Sequence, residues 1–234
     1  MCRCRFVFAA MLFMSASAMA AYVIAPITNS SFEDPAAGKI KGWNGENGAD
    51  ISGWSSDVAA FDSGVEGPDA WPGNTDGVYA GFLLGGMSPW GSTYPEPSVW
   101  QDLGYTIQAG DQFAVAVDSR DNWSEVAPAQ LLISLYYVDG VLRVPLAIRL
   151  VPLDGTQGTP VPNEDPWRTY VLNIADASAG VGKVLGIELA NIAQLSRVPP
   201  GNTWIGIDNV RFVPEPTTLV LLTLGGLCLR RRKA

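Results

Sequence analysis

The sequence predicts an all-β protein: one antiparallel β-sandwich, flanked by an N-terminal signal peptide and a short C-terminal apolar helix. Three observations carry this. Short runs rich in β-branched and aromatic residues recur through the middle of the chain, each bounded by Gly, Pro, Asn or Asp. No long stretch there has the periodicity of a helix. The 25 glycines and 17 prolines among 234 residues favour many short elements joined by turns, and a hydrophobic content of 47% suffices for a core.

The strands follow in order. Val78 to Leu84 is the first clear run, and Val99 to Leu103 the next. Phe113 to Val117 follows the turn Ala109-Gly110-Asp111. Leu131 to Val138 ends at Asp139-Gly140, a hairpin signal, and Val141 to Leu150 returns from it. Tyr170 to Ile174, Val184 to Ala190 and Trp204 to Phe212 complete the set. Eight or nine such strands with turns between them predict a sandwich. The stretch Gly38 to Gly77, rich in Gly, Asp and Trp, reads as loops with one or two short strands. A loop region of that length tends to be functional, or to be tied down by an ion.

Composition excludes several chemistries. The chain has no histidine, which removes the commonest general base, the Ser-His and Cys-His pairs, and the commonest metal ligand. Cys2, Cys4 and Cys228 all lie near the termini, so the middle can form neither a disulfide nor a cysteine zinc site. Residues 21–213 hold 9 basic against 22 acidic side chains, a net of −13, whereas the whole chain stands at −8. Such a surface repels nucleic acid and attracts cations; solubility alone also accounts for it.

The two ends read as addresses. Arg3 and Arg5 precede the apolar run Phe6 to Met14, and Ala18-Met19-Ala20 has the small-x-small form cut by signal peptidase, placing the signal peptide at 1–20. The run is too short for a membrane anchor. At the other end, Pro214-Glu215-Pro216 breaks any preceding element, since proline lacks a backbone donor. An apolar stretch from Leu219 to Leu229 follows, then Arg230-Arg231-Arg232-Lys233. The stretch is short for a bilayer crossing, and the basic cluster acts as a stop on the cytoplasmic face, so the tail holds the membrane transiently. Pro214, Glu215 and Pro216, the Leu-rich run with Gly225-Gly226, and Arg230, Arg231 and Arg232 together resemble the PEP-CTERM sorting signal. That resemblance implies an exosortase-type protease in a Gram-negative-type bacterium, cutting or exchange of the tail at 214–234, and delivery to the cell surface or extracellular matrix. The working domain is then residues 21–213.

Two motifs at that domain's edges resemble a second family. The mature chain opens with Asn29-Ser30-Ser31-Phe32-Glu33 and closes with Ile207-Asp208-Asn209-Val210-Arg211-Phe212; Gln101-Asp102-Leu103 and Gly110-Asp111-Gln112-Phe113 lie between. They look like the corresponding passages of galactose-binding-like jelly rolls, carbohydrate-binding modules among them. The resemblance implies that Glu33 and Asp208 lie on adjacent first and last strands and ligate a structural calcium with Asn29. Several oxygen ligands are what a hard cation needs. The alternative stays open: Asp208-Asn209 begins a turn and Glu33 is solvated.

Sugar sites set flat aromatic faces beside polar side chains. Trp71, Trp90 and Trp123 lie in loop-like contexts, with Tyr94 near Trp90 and Asp121 near Trp123, and these five are the candidate polysaccharide ligands. Trp100 and Trp204 fall inside strands and are assigned to the core. No Gly-x-Ser-x-Gly elbow occurs. Gly180-Val181-Gly182-Lys183 fails as a phosphate loop, with Ala177 where glycine is needed and Val184 in place of Ser or Thr. The sequence thus points to an exported, non-catalytic surface or matrix protein that binds polysaccharide through a calcium-stabilised domain. A purely structural matrix component and a glycosidase or polysaccharide lyase are the alternatives.

Overall fold

Strand periodicity sorts the side chains of this protein between a core and two outer faces. Phe113, Val115 and Val117 point one way along their strand and are inaccessible to solvent, as are Ile133 with Leu135, and Ile187 with Leu189, on two others. Burying each such side chain contributes roughly 1.5–3 kcal/mol. The computed structural model describes residues 22–34, 40–41, 51–56, 63–67, 74–87, 93–94, 97–124, 129–153, 166–192 and 203–214.

Twelve strands are formed among the described residues: β1 (Ile40–Lys41), β2 (Ser55–Ser56), β3 (Ser63–Glu66), β4 (Ala80–Met87), β5 (Thr93–Tyr94), β6 (Ser98–Thr106), β7 (Phe113–Ser124), β8 (Ala129–Asp139), β9 (Leu142–Leu153), β10 (Arg168–Ile174), β11 (Val184–Asn191) and β12 (Thr203–Phe212). Seven make one sheet in the order β1-β3-β4-β12-β7-β10, with β5 also on β4. Five make the other, β2-β6-β11-β8-β9. All pairs are antiparallel except the short β1–β3 pair. The inner faces of both sheets supply one hydrophobic core, which includes Phe32, Leu83, Phe113, Leu135, Ile187 and Ile207. This is the predicted β-sandwich.

The Asp139-Gly140 signal is a hairpin as expected: Asp139 pairs with Leu142, and Gly140 takes φ 65°. Pro145 and Pro152 lie on β9, an edge strand, where a missing backbone donor is tolerated. Asn191 fastens the two sheets at one end. Its Nδ2, on β11, donates to the carbonyl oxygens of Leu83 on β4 and Thr203 on β12.

Three expectations change. Residues 22–34 do not form a first strand, because Asn29 (φ 49°) and Phe32 (φ 58°) adopt left-handed backbone. The segment still lies beside β12, through Val210 N donating to Ser30 O. Between Gly38 and Gly77 three short strands form where one or two were expected. Arg120-Asp121-Asn122-Trp123 is not a loop but the second half of β7, since pairing with β12 overrides the weak strand propensity of Asp and Asn.

Candidate functional site

The Asn29–Glu33 and Ile207–Val210 motifs meet in a loop clamp. The Asn29 amide donates to the carbonyls of Asp34 and Ser52, and its oxygen accepts from Asp34 N. That turn drives Phe32 into the core, stacked on Trp54 at 5.6 Å. Glu33 Oε1 accepts from Val78 N and Tyr79 N, both at 2.7 Å. Gly77, with φ 74°, passes so close to the Glu33 carboxyl that no side chain fits there. Asp208 Oδ2 accepts from Thr75 N (2.7 Å), Thr75 Oγ1 (2.9 Å) and Asp76 N (3.0 Å), while its Oδ1 accepts from Asn209 N. Burial pushes the Asp208 pKa up from the usual carboxylate range, and the four hydrogen bonds pull it down.

A calcium ion needs carboxylate lone pairs free to face it. In Asp208 they face N–H and O–H donors, and Asn29 uses its side-chain oxygen on the backbone. As arranged, Glu33, Asp208 and Asn29 do not fit a shared ion. Among the described residues, no group of three or more Asp, Glu, His or Cys is gathered that could hold a metal.

The predicted ligand-binding residues scatter. Trp71 and Trp90 lie outside the described residues, as do Glu215, Pro216, Arg230, Arg231 and Arg232 of the tail; Pro214 is the last residue described. Tyr94 belongs to β5 and Trp123 to β7, where Trp123 pairs with Trp204. Asp121 is buried on β7, paired with the core residue Ile205, and so is not an exposed sugar contact.

The structure gathers a different set on the outer face of the five-stranded sheet. Trp100 on β6, Glu188 on β11 and Ser134 on β8 are direct cross-strand neighbours; so are Asp102, Gly186 and Tyr136 one pair further along. All point away from the core, opposite Val99, Leu103, Ile187 and Ile133. Trp100 is therefore not a core residue, correcting the expectation; it is partly exposed, with the Arg143 Cζ 3.7 Å from its ring centroid. Arg143, from β9, also pairs with Glu188 at 3.6 Å. Tyr136 lies across Gly186 and donates to Asp102 Oδ1 at 2.7 Å. Burial, and then the Asp102 carboxylate, push the phenol pKa far up, so Tyr136 stays a neutral donor. Ser134 is 2% exposed, and its Oγ has no hydrogen-bond partner. The partly exposed Trp100 ring and the Asp102 and Glu188 carboxylates can together hold a ligand that is apolar on one face and rich in hydroxyls, with Tyr136 and Ser134 buried among them. The signal was present as a period of two, which sets Trp100 and Asp102 opposite Val99 and Leu103.

The outer face of the seven-stranded sheet holds a second polar group, more deeply covered. Arg120 Nε donates to Asn122 Oδ1, and Asn122 Nδ2 to Glu66 Oε1, each residue less than a tenth exposed. Arg120 stacks 4.7 Å over Trp167.

Comparison with known proteins sets the class first. The PEP-CTERM protein-sorting motif matches residues 212–233. The chain thus carries a PEP-CTERM sorting signal, which implies export, surface association and processing by an exosortase. No curated protein matches the chain. Among solved structures it is similar to a cyclase from Fischerella sp. TAU, with 18% identity, a TM-score of 0.58, and coverage of 83% of this chain and 98% of that one. The same organism's cyclase in complex with 4-(1H-indol-3-yl)butan-2-one aligns at 16% identity and a TM-score of 0.55, over 83% of this chain and 98% of that one. A structure described as "CBM4 structure and function" aligns at 15% identity and a TM-score of 0.44, over 81% and 100%. At these identities the likeness is one of fold, a jelly-roll-like sandwich. Among the described residues, no helix is long and apolar enough to cross a membrane.

Proposed function

We propose that this is a non-catalytic surface or matrix protein of a Gram-negative-type bacterium that binds polysaccharide on the outer face of its five-stranded sheet. The observation that carries the reading is the grouping of Trp100 with Asp102, Ser134, Tyr136 and Glu188 on one face turned from the core. Sugar rings stack on such an aromatic surface and donate hydrogen bonds to the carboxylates beside it. Affinity electrophoresis of the purified exported protein through gels containing polysaccharides tests this. Retardation lost in Trp100→Ala is expected; passage unretarded through every polysaccharide would overturn it.

In this reading the loop clamp works without calcium. Chelator is expected to leave the melting temperature unchanged, because Asp208 and Glu33 already hold backbone N–H groups. A fall of several degrees would instead assign an ion there.

A second reading, a purely structural matrix component, has its own support in an apolar stripe along the β8–β9 hairpin. Val141 is 97% exposed, with Leu142, Ile148 and Leu150 each more than half exposed. Self-association by sedimentation, abolished by Ile148→Ser with Leu150→Ser, would favour that reading.

A further inference from the structure

We infer that Arg143 is a displaceable cap on Trp100, so that the guanidinium and a sugar ring compete for one aromatic face. The inference rests on the polysaccharide reading and adds a residue that sets affinity and ligand class. The guanidinium carbon lies 3.7 Å from the Trp100 ring centroid, the separation at which a stacked sugar would sit. The cap comes from β9, while the platform, Trp100, Asp102, Ser134, Tyr136 and Glu188, comes from β6, β8 and β11.

The cap has somewhere to go. Arg143 already approaches Glu188 Oε1 at 3.6 Å, and its side chain is 31% exposed. Swinging off the ring exchanges a stacking contact for a closer ion pair, so the guanidinium is never stranded. Beyond Glu188, on β8, lies Ser134, whose buried Oγ has no partner. A ligand hydroxyl reaching it would complete the hydrogen bonding of that face.

The arrangement also selects the ligand's charge. Asp102 and Glu188 carry two negative charges on this face against the one positive charge of Arg143, within a domain of net −13. A uronate or sulfated sugar is repelled, and a neutral pyranose is not. Arg143 therefore opposes the binding of a neutral glycan; it is not a contact to an acidic one.

The test needs two readouts on the full exported protein. Acrylamide quenching of tryptophan fluorescence reports the cap without any ligand. Arg143→Ala is expected to raise quenching over wild type, and the rise to vanish in a Trp100→Phe background. Affinity electrophoresis with a soluble neutral glucan, and with alginate as the charged comparison, reports the competition. Arg143→Ala is expected to bind the glucan on the order of ten-fold more tightly, with alginate unbound. Arg143→Gln, shorter and uncharged but still an N–H donor, repeats both measurements should the alanine variant be unstable. Raised quenching with no retention of any polysaccharide sustains the cap and removes the polysaccharide reading. Unchanged quenching, weaker glucan binding in Arg143→Ala, or tight alginate binding in wild type would each overturn the inference.

Discussion

Gly186 is bare because Tyr136 lies across it; a Cβ there would lie only 2.1 Å from the phenol Cζ. Gly186→Ala must push the ring off Asp102, and overpacking of this kind costs about 1–3 kcal/mol. Urea denaturation should show that loss, with Gly186→Ala and Tyr136→Phe sub-additive in the double variant. Tyr136 also sets a pH dependence. Its folded pKa lies well above the ordinary tyrosine value of 10.0. The unfolded chain thus releases this proton first as pH rises. Stability is complete below pH 10 and falls above it, by about 1.4 kcal/mol per pH unit for this one group. Melting temperatures from pH 9 to 11 should bend downward in wild type and less so in Tyr136→Phe. At this scale the sequence showed which residues matter at the two edge motifs, but not what they touch. Asn29, Phe32, Glu33 and Asp208 were singled out, yet Glu33 bonds to Val78 and Tyr79, and Asp208 to Thr75 and Asp76, more than 130 residues away from it. Spacing along a chain cannot reveal that a carboxylate meets backbone N–H groups instead of an ion.

The clamp works as an element: strand β12 and the turn at 28–34 hold the loop 74–79 between them. Asp208→Ala leaves Thr75 N and Asp76 N without their acceptor, so a loss of about 3 kcal/mol is expected. Hydrogen exchange should localise it, with the amides of 75 and 76 losing protection while those of β8 and β11 retain most of theirs. Strands with apolar alternation, such as β8, β11 and the first half of β7, were legible because burial and period agree there. The polar half of β7 was not. Asp118, Arg120, Asp121 and Asn122 look like loop residues, yet each is under a tenth exposed. Neighbours distant in sequence supply their hydrogen bonds: Thr169, Asn209 and Arg211 to Asp118, and Glu66 to Asn122. The same blindness misassigned Trp100, because a strand tryptophan reads as core until the register shows which face it takes.

For the whole molecule, the sorting tail decides where the sandwich works. Replacing Pro214-Glu215-Pro216 with alanines should block processing, and the unprocessed chain should accumulate in the membrane fraction on immunoblots while the surface pool falls. Cutting back Arg230, Arg231 and Arg232 should instead weaken retention at the membrane before processing. The sorting motif was legible because it is short, linear and compositional. The acidic balance of residues 21–213 was legible too, though its effect on ligand choice needed the placement of Asp102 and Glu188.

The place of β12 in the sheet has a kinetic consequence. It is the last strand among the described residues, yet it lies between β4 and β7, with three strands of the main path on one side and two on the other. A chain threaded outward from its N-terminus therefore cannot zip this sheet up as it emerges; β4 and β7 must wait for a middle partner that arrives last. Val213 N still bonds to Ala114 O, and Phe212 packs on Phe113, so the ordered fold runs right up to the sorting motif with no leash between them. The exosortase that the motif implies thus meets its substrate flush against a folded domain.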